Sequence, residues 1–168
     1  MRPTATPLLT ATLLWLAALP ATSLHAQGSG AGSGTRFGIA FGGVSTFSLV
    51  VERFDDTHAY EVSVGTWSFR DLSLSAVVKE YFGASGLRPY VGVGVWVVVA
   101  RPPGERTGYA LVARAPIGVD WSVAEDHAIG AALNVNRGLW VRRSDPDDDL
   151  PMNGRLVPLP EAYYRWTR

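Results

Sequence analysis

The chain has 168 residues, 15 Lys and Arg against 15 Asp and Glu, and no cysteine. That length allows one domain, and the charge balance provides no basic face for nucleic acid. The lack of thiols excludes a disulfide framework, a thiolate zinc site and a cysteine nucleophile.

The N-terminus carries Arg2, then an apolar stretch over 8–19 (Leu13, Leu14, Trp15 and Leu16 among it), then a more polar exit ending Leu24-His25-Ala26. This is the pattern of an export signal, so 1–26 is read as a signal peptide cleaved after Ala26. An uncleaved anchor helix is the alternative, disfavoured because the apolar run is shorter than a spanning helix needs. Residues 27–35 are dominated by Gly and Ser and read as a flexible leader. The remainder, 36–168, reads as one barrel domain.

From residue 36 the side chains alternate with period two, the period of a β-strand, whose successive side chains point to opposite faces. Eight strands are predicted. The first, 36–42, puts Phe37, Ile39 and Phe41 on one face; the second, 46–54, does the same with Phe47, Leu49 and Val51. The third, 58–68, groups Tyr60, Val62 and Val64, and the fourth, 72–82, groups Leu72, Leu74, Ala76 and Val78. The fifth, 87–99, has valine at every second position from Val91, with Gly92, Gly94, Trp96 and Val98 between. The sixth (109–122) and seventh (127–141) keep the pattern, and the eighth lies between 155 and 166. Pro158 and Pro160 weaken its first half, because proline cannot donate to a ladder. Strands of about ten residues, short turns after the second, fourth and sixth, and longer links after the fifth and seventh suit a tilted spanning barrel.

Alternation alone does not choose between a barrel apolar inside and one apolar outside. The polar face decides. It carries few charges, of both signs, among many small residues, which suits the narrow lumen of an eight-stranded barrel better than a water-facing exterior. With the apolar face outward, Phe37, Tyr60, Phe82, Trp121 and Trp166 all fall at strand ends on the short-turn side, as an aromatic girdle would.

The fifth strand, Arg88-Pro89-Tyr90-Val91-Gly92-Val93-Gly94-Val95, resembles the arginine-proline-tyrosine plus alternating-glycine strand of small bacterial outer-membrane barrels, broadly those like the outer-membrane protein A membrane domain. Residues 128–136 have the same style. The resemblance implies an all-β, eight-stranded antiparallel up-and-down transmembrane β-barrel in the outer membrane of a Gram-negative-type bacterium. It implies outer-membrane lipid, lipopolysaccharide and the barrel-assembly machinery as partners, with the chain monomeric. It names an architecture, not an activity. The chain departs from it at the end, where Trp166 is followed by Thr167 and Arg168 instead of closing on an aromatic.

Two groups of inward residues invite a functional reading. Glu61 and Lys79 are predicted to stand directly opposite one another, given a three-residue turn at Phe69-Arg70-Asp71, with Arg114, Asp120, Asn134 and Asn136 extending a polar network. This is either a gate or proton site, or a structural ion-pair network that blocks the pore; the second is favoured, because each buried charge needs a partner. Trp67, Trp96 and Trp140 are expected to project inward near the long-loop end, as a ligand mouth or, preferably, as a packed plug. His58 and His127 each begin a strand and show no metal-ligand spacing. The acidic run 145–149 lacks the glycine and distal glutamate of a calcium loop. No cofactor, metal or catalytic residue is assigned. The reading is a non-enzymatic envelope or surface protein. Its alternatives are a soluble periplasmic lipocalin-like barrel binding an apolar ligand, and an outer-membrane enzyme modifying lipid A.

Overall fold

The computed structural model describes residues 33–83, 86–145, 147–148 and 154–168. The predicted signal peptide, most of the Gly/Ser leader and part of the acidic run lie outside the described residues. The described chain is all-β: β1 (Gly34–Gly42), β2 (Ser45–Asp55), β3 (His58–Thr66), β4 (Asp71–Tyr81), β5 (Leu87–Ala100), β6 (Gly108–Ala124), β7 (His127–Arg142) and β8 (Val157–Thr167). Each strand pairs antiparallel with the next, and β8 closes onto β1, giving a closed up-and-down barrel. The first strand begins at Gly34, inside the expected leader.

The register sets the tilt. Following cross-strand partners from Arg36 passes through Glu52, Glu61, Val77, Gly94, Arg114 and Asn136 to Val157. Arg36 itself pairs with Thr167, ten residues further along β8. A stagger of ten over eight strands requires the strands to lean about 35–45° from the barrel axis, so each residue adds about 2.5 Å of height. The start of β1, the end of β8 and the turns at Asp56-Thr57 and Glu125-Asp126 lie at one end, the turn end; the β1–β2, β3–β4 and β5–β6 links lie at the other, the loop end.

Alternation sorts the side chains. Val62, Val93, Val95, Ile117 and Leu133 stand on the outer wall and are exposed. The opposite, inner face of the barrel wall carries Glu52, Glu61, Lys79, Arg114, Asp120, Asn134, Glu161 and Arg165, all buried. Two small apolar clusters share the lumen with them. One, toward the turn end, contains Tyr81, Tyr90, Tyr163 and Val50 with Phe54 against it. The other, toward the loop end, contains Val44, Trp96 and Val112 with Val98 and Leu159 against it.

Two predicted details change. The β3–β4 link is not a three-residue turn: β3 stops at Thr66, β4 starts at Asp71, and the Asp71 carboxylate accepts hydrogen bonds from the Trp67 and Ser68 backbone N–H groups (2.9 and 3.0 Å). This moves the register by two, so Glu61 faces Val77, and Lys79 faces Ala59. Being even, the shift leaves every side chain on its expected face. The second change is a β-bulge. The register slips between Leu111 and Val112, which pair with Trp140 and Gly138 respectively. The extra residue on β7 puts Trp140 on the outer wall with Leu111 and turns Val141 inward beside Ala110. Trp140 is therefore not a lumen residue, contrary to the sequence expectation.

Candidate functional site: the polar lumen

The lumen positions suit charges only because neighbouring strands make room. Tyr90 lies opposite Gly118, and Tyr163 opposite Gly130. A Cβ at Gly118 would stand 2.6 Å from the Tyr90 ring, and one at Gly130 would collide with the Tyr163 ring. Arg165 likewise lies opposite Gly38, where a Cβ would be 2.9 Å from its Cγ. Each large group lies across a glycine of the neighbouring strand, the hydroxyl ends of Tyr90 and Tyr163 resting over Gly118 and Gly130.

At the turn end the polar groups interlock. Arg165 donates from β8 to Glu61 on β3 (2.7 Å) and to Asp120 on β6 (3.1 Å), and lies 3.3 Å from Glu52 on β2. Lys79 reaches Glu52 at 3.0 Å and also pairs with Glu61, diagonally across β3 and β4. Arg36 pairs with Glu52 (2.6 Å) and Asp120 (3.1 Å). The Tyr81 hydroxyl donates to Glu52 (3.1 Å) and accepts from Arg165 (3.0 Å), while the Tyr163 hydroxyl donates to Asp120. The rings add cation–π contacts: the Arg165 guanidinium is 3.9 Å from the Tyr163 centroid, and Lys79 Nζ is 4.7 Å from that of Tyr90. Three cations meet three carboxylates, so the group carries no net formal charge.

Nearer the loop end the pattern thins. Arg114 donates to Glu161 (2.9 Å), to Asn134 Oδ1 (2.8 Å) and to Ser75 Oγ (2.8 Å). Asn134 Nδ2 donates to Glu161 (3.2 Å), and Asn136 Nδ2 to the Asn134 carbonyl (2.9 Å). Above this pair, Ser45 Oγ, Ser73 Oγ, Trp96 Nε1 and Asn136 Oδ1 are buried with no hydrogen-bond partner among the described residues.

All six residues expected in the polar network, Glu61, Lys79, Arg114, Asp120, Asn134 and Asn136, lie in the lumen, divided between these two groups. Of the three tryptophans, Trp96 is buried in the lumen; Trp67, heading the β3–β4 loop, lies over it at 6.5 Å between centroids; Trp140 is outside. Phe37, Tyr60, Phe82, Trp121 and Trp166 lie near the turn end, with Phe37 against Trp166 (6.4 Å). Sequence reasoning missed Arg36, Glu52, Glu161 and Arg165. Their signal was present: the same alternation, carried through the first, second and eighth strands, puts all four inside.

His58 pairs with Glu80 (2.8 Å) and His127 bonds the Tyr164 hydroxyl (2.6 Å), both exposed at the turn end. Among the described residues no group of three or more His, Cys, Asp or Glu is arranged to hold a metal ion. What the lumen arrangement does chemically is to hold four cations and four carboxylates out of water, each answered by an opposite charge. No protein-family model, curated protein or solved structure matches this chain.

Proposed function

We propose that this chain is an integral outer-membrane β-barrel of a Gram-negative-type bacterium, non-enzymatic, with a lumen closed by its own side chains and loops that face the outside. One observation carries the reading: the barrel is polar within and apolar without. Val93 is 68% exposed and Val62 57%, while Glu52 and Asn134 are 0% exposed. In water this arrangement loses twice, by exposing aliphatic surface worth about 25 cal/mol per Å² and by desolvating charges that cost several kcal/mol each. In lipid the outer wall is at home, and every lumen charge has its counter-ion. Lipid and lipopolysaccharide are then its surroundings and the barrel-assembly machinery its route there. The interlocked turn end favours a closed lumen over a diffusion pore. A soluble lipocalin-like barrel calls for the opposite polarity, and an enzyme acting on lipid A calls for a nucleophile and base at the outer rim, whereas both histidines of the barrel lie at the turn end.

The test is fractionation followed by electrophoresis with and without boiling. Recovery in the outer-membrane fraction, with a band that shifts on heating, is expected; a periplasmic protein with no shift would overturn the reading. Val95→Arg, on the outer wall, should badly hinder insertion, since arginine at the midplane costs ~2–4 kcal/mol. Pro103→Arg, in the exposed β5–β6 loop, should insert normally.

A further inference from the structure

The barrel wall is not of even height. β1 has 9 residues, whereas β6 has 17 and β7 has 16. The β1–β2 hairpin turns at Gly42 and Gly43, both at positive φ (81° and 67°), and the next residue, Val44, folds inward onto Trp96 and Val112. The hairpin tip is therefore level with those two residues. From there β5 runs on to Ala100 and β6 back to Gly108, four residues each, or about 10 Å more height.

The neighbouring edge is built for this gap. Pairing of β1 with β8 ends at Gly42 and Glu161, so residues 157–160 of β8 have no β1 partner. Gly43 N–H donates to the Pro160 carbonyl at 2.7 Å. A residue's carbonyl and nitrogen point to the same side of its strand, so Pro160, and Pro158 two residues away, turn their nitrogens toward the gap. Proline has no N–H to offer there, which blocks pairing with another strand. The prolines that weaken the sequence signal for β8 sit where the wall has a notch.

Across the lumen from the notch, Val98, Ala100, Ala110 and Val141 line the apolar part of a recess of about 300 Å³, whose rim is polar, formed by Arg142, Arg143, Ser144, Asp145 and Asp148. The loops over it are tied: Ser144 Oγ donates to Glu105 (2.6 Å), and Arg143 pairs with Asp148 (2.6 Å). Val98 belongs both to this recess and to the cluster holding Val44. On the outside of the same hairpin, Phe41 packs edge-on against Phe47 (5.5 Å). Apolar side chains thus follow one another from Phe41 on the outer wall, through Val44 at the hairpin tip, to Val98 at the base of the recess, below its charged rim.

We propose that the notch is a lateral entry, through which the acyl chain of an outer-leaflet lipid crosses the β1–β2 tip and lies in the recess. The proposal rests on the membrane reading above. In that frame the nine residues of β1 rise about 20 Å, short of the ~25 Å apolar band of such barrels, so the tip lies below the outer hydrocarbon boundary while β5–β7 stand above it. The recess, at the small end of the ~300–1,000 Å³ range of ligand pockets, takes one chain end and not a whole lipid.

The chain has no cysteine, so single thiols carrying a bimane fluorophore report each position. Three are compared in phosphatidylcholine vesicles brominated on the acyl chains: Ala110→Cys in the recess, Leu133→Cys on the outer wall and Pro103→Cys in a loop. Val141→Cys serves as a second recess position if Ala110→Cys does not fold. Expected is a loss of emission at Ala110 comparable with that at Leu133, and none at Pro103. Lengthening the hairpin by a Thr-Val pair on each side of Gly42-Gly43 should remove the loss at the recess and leave it at Leu133. Quenching at Leu133 but not at the recess, with the recess answering only to aqueous iodide, would overturn the lateral entry and leave the membrane reading intact. No quenching at Leu133 would overturn the membrane reading, and the entry with it.

Discussion

At the turn end of the lumen, Arg36, Lys79 and Arg165 are each shared between at least two of Glu52, Glu61 and Asp120. At the loop end, Arg114 and Glu161 form one pair under a cap of Val44, Trp96 and Val112. The same strands and the same alternation build both. The difference lies in multiplicity. Where each charge has several partners, removing one strands the others; where there is a single pair, the loss is confined. The comparison predicts that stability is concentrated near the turns, leaving the loop end free to vary.

The sharpest way to break this is Arg165→Met. It removes one cation from three carboxylates at once, and breaking buried pairs in this way costs about 3–5 kcal/mol. The urea midpoint of the refolded barrel in detergent should fall steeply. Arg114→Met, which leaves only Glu161 uncompensated, should lower it less; an equal or larger fall would contradict the proposed concentration. Gly130→Leu comes next. Its side chain must displace the Tyr163 ring from its place beside Asp120, and overpacking of this kind costs about 1–3 kcal/mol. Tyr163→Ala in the same background should recover part of the loss. The smallest effect is expected at the loop end. Ser73→Ala removes a buried hydroxyl with no partner among the described residues, so the midpoint should stay the same or rise slightly. A clear fall would mean that the hydroxyl is bonded after all.

The barrel itself is legible in the sequence because period-two alternation survives every local irregularity that shifts a strand by an even number. The β3–β4 loop is such a case: Asp71 caps a longer link than expected, and Lys79 still meets Glu61. An odd insertion is different. The bulge opposite Leu111 and Val112 is invisible to an alternation count, and it alone moved Trp140 outside and Val141 into the mouth. The partners of Arg165 were hidden for another reason. They lie on β2, β3 and β6, and contacts across the barrel follow from closure and stagger, which local pattern does not encode.

Arg165 and Glu61 are separated by 104 positions in the chain. The cation that settles the carboxylates of the second and third strands arrives on the eighth. Until that final strand docks, the turn-end group holds three carboxylates, Glu52, Glu61 and Asp120, against two cations, Arg36 and Lys79, while Arg114 lacks its partner Glu161. The unfinished sheet therefore carries two opposite local charge imbalances that only completion removes. Ring closure and neutralisation become one event, so the chain holds an internal check on its own completeness: an assembly intermediate lacking its last strand is penalised in proportion to how far its acidic side chains have left water.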